Sequence, residues 1–143
     1  MEENVCELPL HNAPSEAVRN ILENYRTVAV VGLSNDPDRD SFMVARYLKE
    51  NGYTIVPVNP KYDEVLGEKS YPSLREIPFP VDIVDIFRRA DAVPDIVEDA
   101  IDIGAKVVWM QKGIVKNSAA ERARAAGLEV VMDKCMKVEH KNL

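Results

Sequence analysis

Arg39, Lys61, Arg88, Arg89, Lys112 and Lys134 each stand a few positions beyond a short run rich in β-branched side chains. Cations placed in that way suit electrostatic work, since they hold anionic oxygens, phosphates above all, through charge-assisted hydrogen bonds. Two of these stretches carry further polar groups. "VAVVGLSNDPDRDS" ends its apolar run at Gly32 and continues through Leu33, Ser34 and Arg39 to Ser41. It offers an anion the main-chain N–H groups of residues 32–34, the hydroxyls of Ser34 and Ser41, and the free amides of a following helix. Asp36, Asp38 and Asp40 oppose an anion that faces them, and Asp40 reads as the N-cap of that helix. The second stretch, "PVNPK", holds Asn59, Pro60 and Lys61. A dinucleotide site for an unsubstituted ribose has Asp or Glu there, about twenty residues beyond the glycines. A neutral amide and a cation suit a ribose that bears a phosphate, which favours NADP or coenzyme A over NAD.

Acid–base chemistry is less well served. Asp82 and Asp85 lie three apart in one strand-like run, on opposite faces, and do not converge. His11, in a terminal segment, and His140, in "EHKNL", read as surface residues. No nucleophile, base and orienting group occur together. Cys135 follows the last apolar run on the same rim as the cations. Lys134 beside it favours the thiolate, and a disulfide with a ligand thiol is chemically reasonable. Its ordinary reading is a small apolar side chain packed beside Met132 and Met136. Trp109 likewise reads first as packing.

These residues need elements to hold them. Strands are expected at residues 27–32, 54–58, 81–87, 106–110 and 129–132. Helices are expected at 15–25, at 41–51 before Gly52, from Pro94 to Gly104, and from "SAAE" to Gly127, where Ser118 and Glu121 have capping-box spacing. Such alternation demands a parallel sheet covered on both faces. The expected fold is α/β, a Rossmann-like three-layer sandwich with a five-stranded parallel sheet and its ligand at the carboxyl ends of the strands. Residues 60–80 resolve into no element beyond one short helical turn.

The 143 residues, 46% hydrophobic, fit a single domain over 1–143, with 1–13 as an N-terminal extension and the terminal dozen residues at each end the loosest. Eighteen basic against twenty-four acidic residues, a net charge of -6, disfavour nucleic acid. There is no apolar run of membrane length and no secretion-signal pattern at the amino terminus, so the cytoplasm is expected and a membrane is not. Cys6 and Cys135 form no C-x-x-C pair, which suggests neither a metal site nor a disulfide framework.

The motifs "VVGLS", "PVNP", "EVLGEKSYPSL", "VDIVDIFRR", "GAKVVWMQKGI" and "AGLEVVMDKCM" occur in an order and spacing that resemble the small bacterial CoA-binding domain proteins. That family is similar to the CoA-binding amino-terminal domain of the succinyl-CoA synthetase alpha subunit and of the ADP-forming acyl-CoA synthetases. The resemblance covers residues 19–143. It implies that Gly32, Leu33, Ser34 and Arg39 hold phosphates, that Asn59, Pro60 and Lys61 border the adenosine ribose and its 3′-phosphate, and that Phe87, Arg88 and Val93 wall the nucleotide. Trp109, Gln111 and Gly113 match a family pattern W-x-Q-x-G that lines the pantetheine or diphosphate region. Lys134 departs from the arginine common in "MDRCM". The implied function is the binding of CoA or an acyl-CoA without chemistry of its own, since the chain has no room for ligase and nucleotide-grasp domains. A small NADP-dependent oxidoreductase or transferase, or a partner subunit of an acyl-CoA-using complex, are the alternatives.

Overall fold

The computed structural model describes residues 7–143. Five strands form one parallel sheet: β1 (Thr27–Val31), β2 (Thr54–Val58), β5 (Ile83–Ile86), β6 (Val107–Met110) and β7 (Glu129–Val131), in the order β2-β1-β5-β6-β7. Their valine and isoleucine runs are buried on both sides, as a parallel sheet between helical layers requires. Side-chain alternation divides the core in two. Val31, Val84, Ile86, Val108 and Met110 face α3 (Val93–Asp102) and α4 (Asn117–Ala125). Val28, Val30, Ile83, Val107 and Trp109 face α1 (Ser15–Asn24), α2 (Asp40–Glu50) and α5 (Met136–Lys141). The α/β three-layer sandwich read from the sequence is the observed fold.

Several local expectations give way to longer-range contacts. Asp40 is the first residue of α2 rather than its cap; Arg39 occupies the cap position, and no side-chain capping bond forms there. The capping box of Ser118 and Glu121 does not form either, because α4 begins one residue earlier. The first helical N–H, that of Asn117, instead donates to Glu7 Oε1 at 2.9 Å, across 110 residues of chain. Asp82 precedes β5, and its Oδ2 accepts from the backbone N–H groups of Arg26 and Thr27 at 3.3 and 3.2 Å, at the amino end of the sheet.

The stretch 60–80 contains a two-stranded antiparallel hairpin, β3 (Glu64–Val65) and β4 (Glu68–Lys69), whose turn residues Leu66 and Gly67 both have positive φ, 55° and 77°. Leu66 packs on the α2 face of the core, and its carbonyl accepts from Lys49 Nζ, so tertiary contacts hold a leucine in a backbone conformation it disfavours. Tyr71 then bridges to Val58 at the edge of β2, and a 3-10 turn at Leu74–Glu76 follows.

Residues 7–13, where looseness was expected, are tied down. Asn12 clasps the end of β7: its Nδ2 donates to the Met132 carbonyl at 2.8 Å, and its Oδ1 accepts from the Met132 N–H at 2.9 Å. The Leu10 N–H donates to Asn117 Oδ1 at 2.9 Å, and Arg124 donates to the His11 carbonyl at 3.0 Å. Cys6 lies outside the described residues, and any pairing with Cys135 lies there with it. Among the described residues no helix is long and apolar enough to cross a membrane, and no cluster of potential metal ligands occurs.

Candidate functional site

The chain leaves β1 for β2 on one side and then crosses back to β5 on the other, so the strand order reverses between β1 and β5. A crevice at the carboxyl ends of these two strands is the expected ligand position in such a sheet. Gly32 sits in it with φ 88°, and a Cβ built there would lie 2.6 Å from the Phe87 carbonyl oxygen and 3.0 Å from Arg88 Cδ. The left-handed turn and the close approach of the β5 exit both require glycine at this point.

Above the crevice lie two adjoining pockets with lining residues in common, together forming a trough. One part, about 540 Å³, is lined by Val31, Gly32, Val58, Asn59, Pro60 and Lys61, with Arg88 and the segment Pro72, Ser73 and Leu74, and is closed by Ile96 and Asp99 of α3. The other, about 310 Å³ and more polar, is lined by Gly32, Ser34, Arg39, Asp40, Ser41, Asn59, Lys61, Tyr62 and Phe87. The two share Gly32, Asn59 and Lys61. Three cations, Arg39, Lys61 and Arg88, therefore meet along one trough from three separate loops. Asn59 links two of them, with Nδ2 donating to the Leu33 carbonyl at 3.1 Å and Oδ1 accepting from the Lys61 N–H at 3.0 Å. Arg75 pairs with Asp99 at 2.7 Å and also with Asp102, which fixes the 3-10 turn on α3 behind the trough.

Several of the donors expected in the first loop have partners within the protein. The Gly32 N–H donates to the Val58 carbonyl at 2.9 Å, and the Ser34 N–H to Ser41 Oγ at 3.0 Å. Ser34 Oγ in turn accepts from the Asp36 N–H at 3.0 Å, and Asp36 Oδ1 from the Asp38 N–H at 2.9 Å. The loop thus satisfies itself with its own side chains. Among the described residues, the Leu33 amide and the first-turn amides of α2 remain without acceptors.

The remaining sequence candidates lie elsewhere. Leu33 and Val93 are fully buried, Leu33 under the loop and Val93 at the start of α3. Trp109 has no exposed surface, and its Nε1–H donates to the Lys134 carbonyl at 2.7 Å. Gly113 turns with φ 88° beyond β6, its N–H donating to Asp133 Oδ1 at 2.7 Å. Cys135 is half-buried against the α5 face. Arg89 is exposed and pairs with Asp91 at 3.2 Å, while Lys112 and Lys134 line neither part of the trough.

Sequence reasoning passed over one contact. Gln111 is only 3% exposed, and its Nε2 donates to Asp85 Oδ1 at 2.7 Å, while Asp85 Oδ2 is buried with no partner. Burial pushes the Asp85 carboxyl up to about 8, with the Gln111 hydrogen bond pulling it the other way. A carboxylate in the middle of the apolar run "VDIVDIF" was the available signal, because an ionisable group in a central parallel strand has no route to water.

A single Rossmann-like sheet with a trough bearing three cations at its switch point is the architecture of a class of α/β domains. Within that class, the model of the CoA binding domain family matches residues 26–141, and the chain belongs to that family. It is 44% identical over 128 residues to the protein YneT of Bacillus subtilis, covering 89% of this chain and 95% of that one. A hypothetical protein from Pyrococcus horikoshii has a solved structure that superposes with a TM-score of 0.90 at 44% identity, covering 100% of this chain and 99% of that one. The ADP-forming acetate–CoA ligase II of Archaeoglobus fulgidus is 37% identical over 83 residues, which are 57% of this chain but 12% of the ligase.

Proposed function

We propose that this protein binds CoA or an acyl-CoA along the trough and performs no chemistry of its own on it. The observation that carries the reading is the convergence of Arg39, Lys61 and Arg88 on one trough at the switch point of a chain that belongs to a CoA-binding family. In this reading the first-turn amides of α2 and the Arg39 guanidinium hold the diphosphate. Asn59, Pro60 and Lys61 flank the adenosine ribose, where Lys61 meets the 3′-phosphate that distinguishes CoA from its dephospho form. Phe87 and Arg88 wall the nucleotide, and the pantetheine arm runs along the strand ends towards β6.

Mass spectrometry of ligand released from the purified protein, with calorimetric titration of CoA, dephospho-CoA and NADPH, tests the reading. CoA is expected in the released fraction, with weaker binding of dephospho-CoA and weaker still of NADPH. Equal affinity for CoA and dephospho-CoA would remove Lys61 from its assigned place, and no binding of CoA would end the proposal.

A further inference from the structure

Asp85 lies on the central strand β5, in register with Val30 of β1 and Trp109 of β6, and its side chain faces the α1, α2 and α5 layer. One layer further towards the ligand edge, Phe87 and Gln111 continue β5 and β6 side by side. Phe87 lines the trough, and Gln111 stands one strand beyond it. An extended arm leaving the Gly32 loop and crossing β5 to β6 covers two strand spacings, about 10 Å, and arrives at Gln111. The amide of Gln111 is not symmetric in its duties. Nε2 is committed to Asp85, whereas Oε1 has no partner among the described residues and is not sealed from solvent.

We propose that Asp85 is a positioning residue, which through Gln111 Nε2 holds the amide so that Oε1 is left to accept from the uncharged, amide-bearing arm of the ligand. The assignment rests on the CoA-binding reading and says how one end of that site is built. A neutral pair suits an uncharged arm, just as the cations suit the phosphates. It also gives the site a proton linkage. Asp85 is itself fully buried, but an arm seated over Gln111 displaces water from the layer above it, which lowers the local polarity and favours the protonated carboxyl further, so binding of the arm weakens as that proton is lost.

Among the described residues Asp85 has no ionisable hydrogen-bond partner. The covering elements bring Tyr25, Tyr47, Tyr53, Cys135 and His140 into the same layer. Arg26, Arg46 and Lys137 stack on the outer rings of Tyr53, Phe42 and Tyr47. None of these groups hydrogen-bonds Asp85, and burial rather than a neighbouring charge sets its protonation.

The test uses two ligands that differ in the arm: desulfo-CoA, which keeps the arm but has no thiol to titrate, and adenosine 3′,5′-bisphosphate, which lacks the arm. In Asp85→Val, desulfo-CoA is expected to bind about tenfold more weakly, with the bisphosphate within about twofold of the parent. Asp85→Asn keeps an Oδ1 acceptor for Gln111, so it restores most of the affinity at neutral pH. It also abolishes the decline in desulfo-CoA affinity that the parent shows above about pH 8. Should Asp85→Val fail to fold, Gln111→Leu takes its place with the same expected ligand split. Equal losses for both ligands, no loss for desulfo-CoA, or a parent pH profile retained in Asp85→Asn would each overturn the assignment while leaving CoA binding in place. Failure of the parent to bind either ligand would overturn the binding reading itself.

Discussion

Asp85 is a carboxyl buried inside the sheet with one oxygen unpartnered, and its cost depends on pH. In the folded chain its carboxyl keeps its proton up to about pH 8, against an ordinary value of 3.8. The folded value is the higher of the two, so the stabilising contribution is complete below pH 4 and is lost as pH climbs to about 8. Over that window the linkage amounts to on the order of 5 kcal/mol. Asp85→Asn carries no titrating group, so its stability relative to the parent should grow between about pH 5 and pH 8.5, read as urea midpoints at the two values. A difference independent of pH would show that Asp85 is already ionised in the native state. The sequence displayed this residue plainly. What it did not display was the partner, because Gln111 meets Asp85 only once β5 and β6 are paired.

The turn between β1 and α2 makes the element-scale case. Gly32→Ala is expected to destabilise by about 2–4 kcal/mol, combining the left-handed backbone with a forced shift of the Phe87 carbonyl. Gly52→Ala shares the positive φ, 94°, but its Cβ would meet no atom within 4 Å, so it should cost only about 1–2 kcal/mol. Urea unfolding of the two variants side by side checks the difference, and equal losses would mean that the packing against β5 contributes nothing. The main elements were legible because their signals are local: β-branched runs for the strands, apolar spacing and a closing glycine for the helices. The β3–β4 hairpin was not, since Leu66 fills a turn position normally held by asparagine or glycine and is kept there by Lys49 and the core. Nor was the start of α4, whose capping group is supplied by Glu7 from the far end of the chain.

Across the whole molecule, a net charge of -6 surrounds a trough where three basic side chains converge. Arg39→Ala and Lys61→Ala should each weaken CoA binding by about 1–3 kcal/mol, with a loss that shrinks at high salt as screening weakens the attraction that only the parent makes. Titration calorimetry at low and high ionic strength measures both, and unchanged affinity in either variant would exclude that residue from phosphate contact. The rim cations at 39, 61 and 88 were readable from their places after the strands. The same rule also selected Arg89, Lys112 and Lys134, because position along the chain fixes the loop but not the direction of its side chain. One more property follows from Asn12, whose side chain satisfies Met132 as a neighbouring strand would, while Tyr71 occupies the opposite flank at Val58. Each edge strand thereby has its carboxyl end occupied by a residue from outside the sheet, which leaves fewer open backbone groups there for a foreign strand to pair with.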